Sequence, residues 1–123
     1  MSNKYCLIVD DSEIIRRVTK QMLNGLRFDT GEAVDAMDAV TRCRAAMPDA
    51  ILLDWSLPEV SGIDCLQALR KLPDGEKPII LYCTTENDPV EFKRARTAGA
   101  TDVLVKPYDR ATLSRKLAEA GLI

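Results

Sequence analysis

Polar groups that could do chemistry stand where apolar runs stop. Asp10 and Asp11 follow Tyr5–Val9, Asp54 ends Ala50–Leu53, Thr84 and Thr85 follow Pro78–Cys83, and Lys106 follows Thr101–Val105. Each run is short, continuous and aliphatic, as expected of a strand buried on both faces of a parallel sheet. Ligands of open α/β sheets bind in the crevice outside the carboxyl ends of such strands, so these groups are placed for function. A lone Asp in that position is more often a turn residue, and Pro58 and Gly62 do mark a turn after Asp54. Four runs of five ending in a group suited to phosphate or metal reverse that reading.

If the first and third strands are neighbours, Asp10, Asp11 and Asp54 crowd one cleft. Like charges in a cleft raise carboxylate pKa values or demand a cation, and oxygen-only ligands favour Mg2+ over zinc. A phosphoryl group gives every residue a task. Asp54 would attack phosphorus as a carboxylate nucleophile and form an acyl phosphate. Mg2+ held by Asp11 and Asp54, with Asp10 acting through a water, would offset the charge developing on a phosphoryl oxygen. Lys106 would neutralise a second oxygen and the Thr84 hydroxyl would bond the third, drawing the following loop inward.

The totals narrow the alternatives. A chain of 123 residues fits one domain, 1–123, with no room for an output domain. A net charge of −2 argues against a nucleic-acid partner. No histidine occurs, which removes His-based acid–base catalysis, His-ligated zinc and a Ser-His-Asp triad. Cys6, Cys43, Cys65 and Cys83 are widely spaced within apolar segments and read as reduced thiols. The Met-Ser-Asn-Lys start lacks the apolar stretch of a signal peptide, and no run is long enough to span a membrane, so a cytoplasmic protein without membrane contact is expected.

The elements that must position these groups follow in order. Ser12 opens a helix with an Ile14, Ile15, Val18, Met22 stripe. Arg27–Ala33 is a weaker strand, and Asp35–Met47 a helix with Ala39, Val40, Cys43 and Met47 inward, closed by Pro48. Ser61 and Asp64 form a capping pair for a helix reaching about Leu72. Asp88 and Pro89 start a helix ending near Ala98, with Gly99 as terminator, and Asp109–Ala120 is the last helix, Leu113 and Leu117 inward. Five strands alternating with helices predict an α/β fold, a five-stranded parallel sheet of flavodoxin-like order 2-1-3-4-5, doubly wound with helices on both faces.

Taken together, Asp10-Asp11, Asp54, Thr84 and Lys106-Pro107, with Pro58 and Gly62 in the loop after the acid, resemble the receiver domain of two-component response regulators in its single-domain, chemotaxis-regulator form. The resemblance implies a phosphorylation-driven signalling switch in which Asp54 is the phosphoacceptor. It also implies Mg2+ on Asp11, Asp54 and the backbone carbonyl of Ser56, and a cis Lys106–Pro107 bond. The phosphoryl donor would be a phosphohistidine on a sensor histidine kinase or histidine phosphotransfer protein, and the output a contact with a downstream target protein, from a monomer or weak dimer. Such a chain is not an enzyme in the turnover sense, since it catalyses its own phosphorylation and dephosphorylation. Ser56 and Glu86 flank the path of the hydrolytic water, positions at which the family tunes its dephosphorylation rate.

One departure affects the switch: where many relatives carry an aromatic residue three before the lysine, this chain has Val103. Tyr108 lies beyond Pro107 and reads as packing more readily than as part of a switch. Trp55 is either a lid beside the acceptor or an exposed loop aromatic. Lys93, Arg94 and Arg96 fall on a helix face that receivers use for partners or dimers. They are a solvated face, or they meet an acidic peptide or an anionic nucleotide. A rival reading is an aspartyl-phosphate phosphohydrolase, which would need a second acid where Ser56 stands. A flavodoxin-type electron carrier is opposed by the acidic Asp10-Asp11-Ser12 loop, which would repel an FMN phosphate. The remaining alternatives are a phosphate sink and a non-phosphorylated interaction module.

Overall fold

The computed structural model describes residues 3–123. Five strands and five helices alternate: β1 (Lys4–Val9), α1 (Glu13–Gly25), β2 (Phe28–Ala33), α2 (Ala36–Ala45), β3 (Ala50–Asp54), α3 (Gly62–Arg70), β4 (Ile79–Thr84), α4 (Pro89–Ala98), β5 (Asp102–Val105) and α5 (Arg110–Glu119). All pairings are parallel and the order is β2-β1-β3-β4-β5, the predicted topology. The strand alternation divides the core in two. Leu7, Val9, Ile51, Leu53, Ile80, Tyr82 and Val103 face α2, α3 and α4, whereas Cys6, Ile8, Ala50, Leu52, Leu81, Cys83 and Leu104 face α1 and α5. Every residue of β3 is buried, so the run that looked continuous in sequence is continuous because both of its faces are covered.

Each helix opens on the short polar residue expected of a cap. Ser12, Asp35, Ser61, Asp88 and Asp109 accept hydrogen bonds from the amides of Ile15, Asp38, Asp64, Val90 and Thr112. Gly99 takes a φ of 122° after α4, a conformation costly for residues with a Cβ. Several ends move inward from the sequence expectation. α2 stops at Ala45, because Ala46 is already extended ahead of Pro48. α3 stops at Arg70, and Leu72 only closes a tighter turn onto Leu69. Pro78 lies outside β4, having no N–H for the ladder, and β4 runs through Thr84 instead.

The α1 stripe also differs. Ile14, Ile15 and Val18 are exposed, at 72%, 37% and 46%, and the buried positions are Thr19 and Leu23. Their spacing is helical, but the face they mark points to solvent. At the far end of the sheet, Arg70 donates to the carbonyls of Gly99, Gly75 and Pro78 and to the Thr101 hydroxyl, pinning α3 to the chain around β4 and β5. All four cysteines are free and buried, and burial pushes the thiols of Cys43, Cys65 and Cys83 up to about 11, 12 and 12. Among the described residues no helix is long and apolar enough to cross a membrane.

Candidate functional site

Because β1 and β3 are adjacent, with Val9 opposite Leu53, the strand ends bring Asp10, Asp11 and Asp54 together. One carboxylate oxygen from each lies within 4.8 Å of the others. Asp10 and Asp54 are buried and Asp11 is exposed, so the cluster has two oxygens in the protein and one at its mouth. Asp10 is fixed on all sides. Its N–H donates to the Ala33 carbonyl at 3.1 Å, its Oδ1 accepts from the Ser12 N–H at 2.9 Å, and its carbonyl accepts from Arg16 Nη1 at 2.8 Å. Arg16 is in turn held by Glu32 at 3.0 Å.

Lys106 closes the cluster. Its Nζ lies 2.8 Å from Asp10 Oδ2 and 2.9 Å from Asp54 Oδ1, and its N–H donates to the Thr84 carbonyl at 2.8 Å. The Lys106–Pro107 bond is cis. Burial raises the pKa of the Asp54 carboxyl, and the proximity of Asp10 adds to this against the opposing bond from Lys106. Burial also works against the Lys106 charge, but its hydrogen bonds to Asp10 and Asp54 outweigh that and hold its pKa above the ordinary value. One ammonium thus bridges two carboxylates while the third acid remains free. An all-oxygen donor set of this kind suits a hard divalent cation, which would supply the positive charge that one lysine cannot.

Thr84, the last residue of β4, is buried beside the Asp54–Cys83 pair. Its Oγ1 accepts from the Glu86 N–H at 3.0 Å, which leaves the hydroxyl hydrogen free to donate. Ser56 and Glu86 are both exposed on the loops after β3 and β4. The backbone after Asp54 is stitched by Trp55 N–H to the Cys83 carbonyl at 2.8 Å and by Gly62 N–H to the Trp55 carbonyl at 3.1 Å. Gly62 is required there, since a Cβ would sit 2.7 Å from Trp55 Cα and 2.8 Å from the Asp54 carbonyl oxygen. Trp55 itself is 37% exposed, at the rim rather than in the core.

The structure divides the expected partner face. Lys93 and Arg94 border a groove between α3 and α4 with Asp64 and Gln67, and Arg94 lies 3.9 Å from Glu91. Arg96 points elsewhere and pairs with Asp102 at 2.7 Å, an acid also held by Lys116 at 2.9 Å. Two helix positions apart means about 200° of rotation, so Arg94 and Arg96 cannot share a face. Val103 is 4% exposed on the α4 side of the sheet and offers no contact surface.

Tyr108 packs against the core on the α1 and α5 side and is half-buried. Its hydroxyl meets that of Thr19 at 3.0 Å, and burial raises its pKa, keeping it protonated. It walls a cavity of about 380 Å³ between α1 and the β5–α5 loop, lined also by Ile15, Val18, Met22, Pro107 and Lys106. Sequence reasoning missed Thr19 and Arg16. A hydroxyl four residues after Ile15 on an otherwise apolar stripe was a signal for the first. Nothing in the sequence marks Arg16 apart from the adjacent Arg17.

The profile of the response regulator receiver domain matches residues 6–118. Chemotaxis protein CheY-3 of Vibrio cholerae is 34% identical over 116 residues, which cover 94% of this chain and 89% of that one. The crystal structure of Vibrio cholerae CheY4 superposes with a TM-score of 0.90 at 30% identity, over 96% of this chain and 98% of that chain. The receiver domain of sensor histidine kinase PA1611 from Pseudomonas aeruginosa, solved with magnesium in its active-site cleft, superposes at 0.87 with 28% identity, over 96% and 97% of the two chains. The chain belongs to the response regulator receiver domain family, as a CheY-like member with the fold of a phosphorylation-dependent signalling switch.

Proposed function

We propose that Asp54 is the phosphoacceptor and that the domain, residues 1–123, is switched by its modification and signals through a partner protein. The observation that carries this reading is the bridge of Lys106 Nζ to Asp10 and Asp54 beside an exposed third acid. A carboxylate oxygen of Asp54 attacks the phosphorus of a phosphohistidine, an O–P bond forms, the N–P bond breaks, and the imidazole nitrogen departs with the bonding pair. Asp11, Asp54 and the Ser56 carbonyl would hold Mg2+, with Asp10 acting through a water. The ion supplies charge neutralisation between the acids and the incoming phosphoryl group. Lys106 shifts from the Asp54 carboxylate to a phosphoryl oxygen, keeping its charge where negative charge develops. Thr84 donates its free hydroxyl hydrogen to another oxygen and draws the Thr84–Glu86 turn with it.

Attack of water on the acyl phosphate returns Asp54 and inorganic phosphate, with exposed Ser56 and Glu86 governing access, so the chain turns over only its own phosphoryl group. The donor is the phosphohistidine of a sensor histidine kinase or phosphotransfer protein. The exposed apolar residues Ile15 and Val18 of α1 lie beside the Lys106 loop, with exposed Ile14 next to them in the chain, where a donor reaching Asp54 must rest. Reduced, buried cysteines suit a cytoplasmic protein. Its output is a target-protein contact, made as a monomer or weak dimer. Lys93 and Arg94 are the cations of α4 left for an acidic target.

Incubation with Mg2+ and acetyl phosphate, followed by intact mass measurement, tests the assignment. The mass should rise by one phosphoryl group in the native chain and not in Asp54→Asn. Equal modification of the variant would refute it.

A further inference from the structure

We propose that the Tyr108 and Thr19 hydroxyls form a positioning latch that holds Lys106 over the carboxylates. The latch concerns the site just proposed, so its catalytic consequence rests on that reading, whereas its structural consequence does not. Lys106 is tied on one side by its N–H to the Thr84 carbonyl. On the other side Pro107 has no N–H to give, so no amide hydrogen bond can fix the chain there. Among the described residues the next hydrogen bond along the chain is made by the Tyr108 side chain, which reaches 89 residues back along the sequence to Thr19 on α1 at 3.0 Å.

The setting makes that bond directional and stable. Thr19 is 2% exposed and Tyr108 half-buried, and apolar Ile15, Val18 and Met22 line the cavity beside them, so few polar groups compete for either hydroxyl. A phenyl ring at 108 would fill the same volume without fixing the loop's position along α1. Among the described residues the one other hydrogen bond between α1 and this region, Arg110 to the Gly25 carbonyl, is exposed and lies more than a turn further along α1. Lys106 is thereby held between a tie to β4 and a tie to α1, with its Nζ 2.8 and 2.9 Å from the two acids. Tyr108 and Thr19 touch neither acid, and they act through Lys106 alone.

The test compares Tyr108→Phe, Thr19→Val, the double variant and Thr19→Ser in protein carrying 15N-labelled lysine. The Lys106 ammonium signal, assigned by its loss in Lys106→Ala, is read in chelator without any phosphoryl donor. It should be sharp in the native chain and in Thr19→Ser, and broadened or lost in the other three. With acetyl phosphate and saturating Mg2+, Tyr108→Phe should form acyl phosphate about tenfold more slowly. Thr19→Val should match it, and the double variant should add nothing. A native ammonium signal in Tyr108→Phe, additive losses in the double variant, or failure of Thr19→Ser to restore the signal would overturn the latch. A native chain that takes up no phosphoryl group would overturn the phosphoacceptor reading, and the ammonium signal would still decide the latch.

Discussion

Replacing Asp54 with Asn should make the metal-free protein more stable. Two unit charges 4.8 Å apart, the limit for these acids, repel by about 3.5 kcal/mol at an effective dielectric of 20. Asp10 exerts this on Asp54 in full, while exposed Asp11, facing water, contributes about 1 kcal/mol. Against these stands the Lys106 contact at 2.9 Å, worth about 6 kcal/mol of attraction on the same scale. The Coulomb terms nearly cancel, so desolvation decides the sign, in agreement with the raised pKa whose leading cause is burial. Asn keeps the shape and can still accept from Lys106. A gain of about 1–3 kcal/mol follows, or about 4 °C in Tm per kcal/mol for a chain of this size.

The pH dependence carries the sign. A carboxyl whose folded pKa is raised costs nothing below its ordinary value of 3.8, where both states are protonated. It costs most above the raised folded value. Melting in chelator from about pH 4 to about pH 7 should therefore show the variant pulling ahead as pH rises, and Mg2+ should narrow the gap by stabilising the native chain. A variant that melts below the native chain at neutral pH, or a gap independent of pH, would refute the reasoning.

The other expectations concern the parts around that acid. Lys106→Ala leaves two buried acids without a cation and should cost about 3 kcal/mol in chelator by urea unfolding, largely recovered by Mg2+. An equal loss with and without the ion would deny the shared role. Gly62→Ala forces a Cβ onto the Trp55 and Asp54 backbone and should cost about 1–3 kcal/mol while slowing acyl phosphate formation. Unchanged phosphorylation would mean that this backbone gives way without moving Asp54. Arg70→Ala strands three carbonyls at the opposite end of the sheet and should cost about 3 kcal/mol with no change in phosphorylation rate well below its Tm. A slowed rate there would mean the two ends of the sheet are coupled.

Much of this fold was legible because local and global requirements agree. The all-buried run of β3 and the polar caps of the helices announce elements that the sheet then uses. The convergence of Asp10, Asp11 and Asp54 followed once strand order was inferred, since a parallel sheet leaves few places for strand ends to go. What escaped depends on angle rather than spacing. Ile14, Ile15 and Val18 have the period of a buried stripe, yet only packing decides which face of α1 meets the sheet. Likewise Arg96 differs from Arg94 by a rotation that directs it to Asp102, and the Thr19–Tyr108 bond joins residues that no local pattern connects.

The outer strands bear on how copies of this chain can meet. A parallel sheet ends in two rows of unpaired backbone groups, which invite another chain to add a strand. On one side β2 carries Asp29 and Glu32, and on the other β5 is only four residues long, with Asp102 engaged by Arg96 and Lys116. Charge guards one margin and brevity with an ion cluster the other. Self-association by edge-to-edge pairing is therefore disfavoured, and contact between copies falls to the helices and loops that cover the sheet.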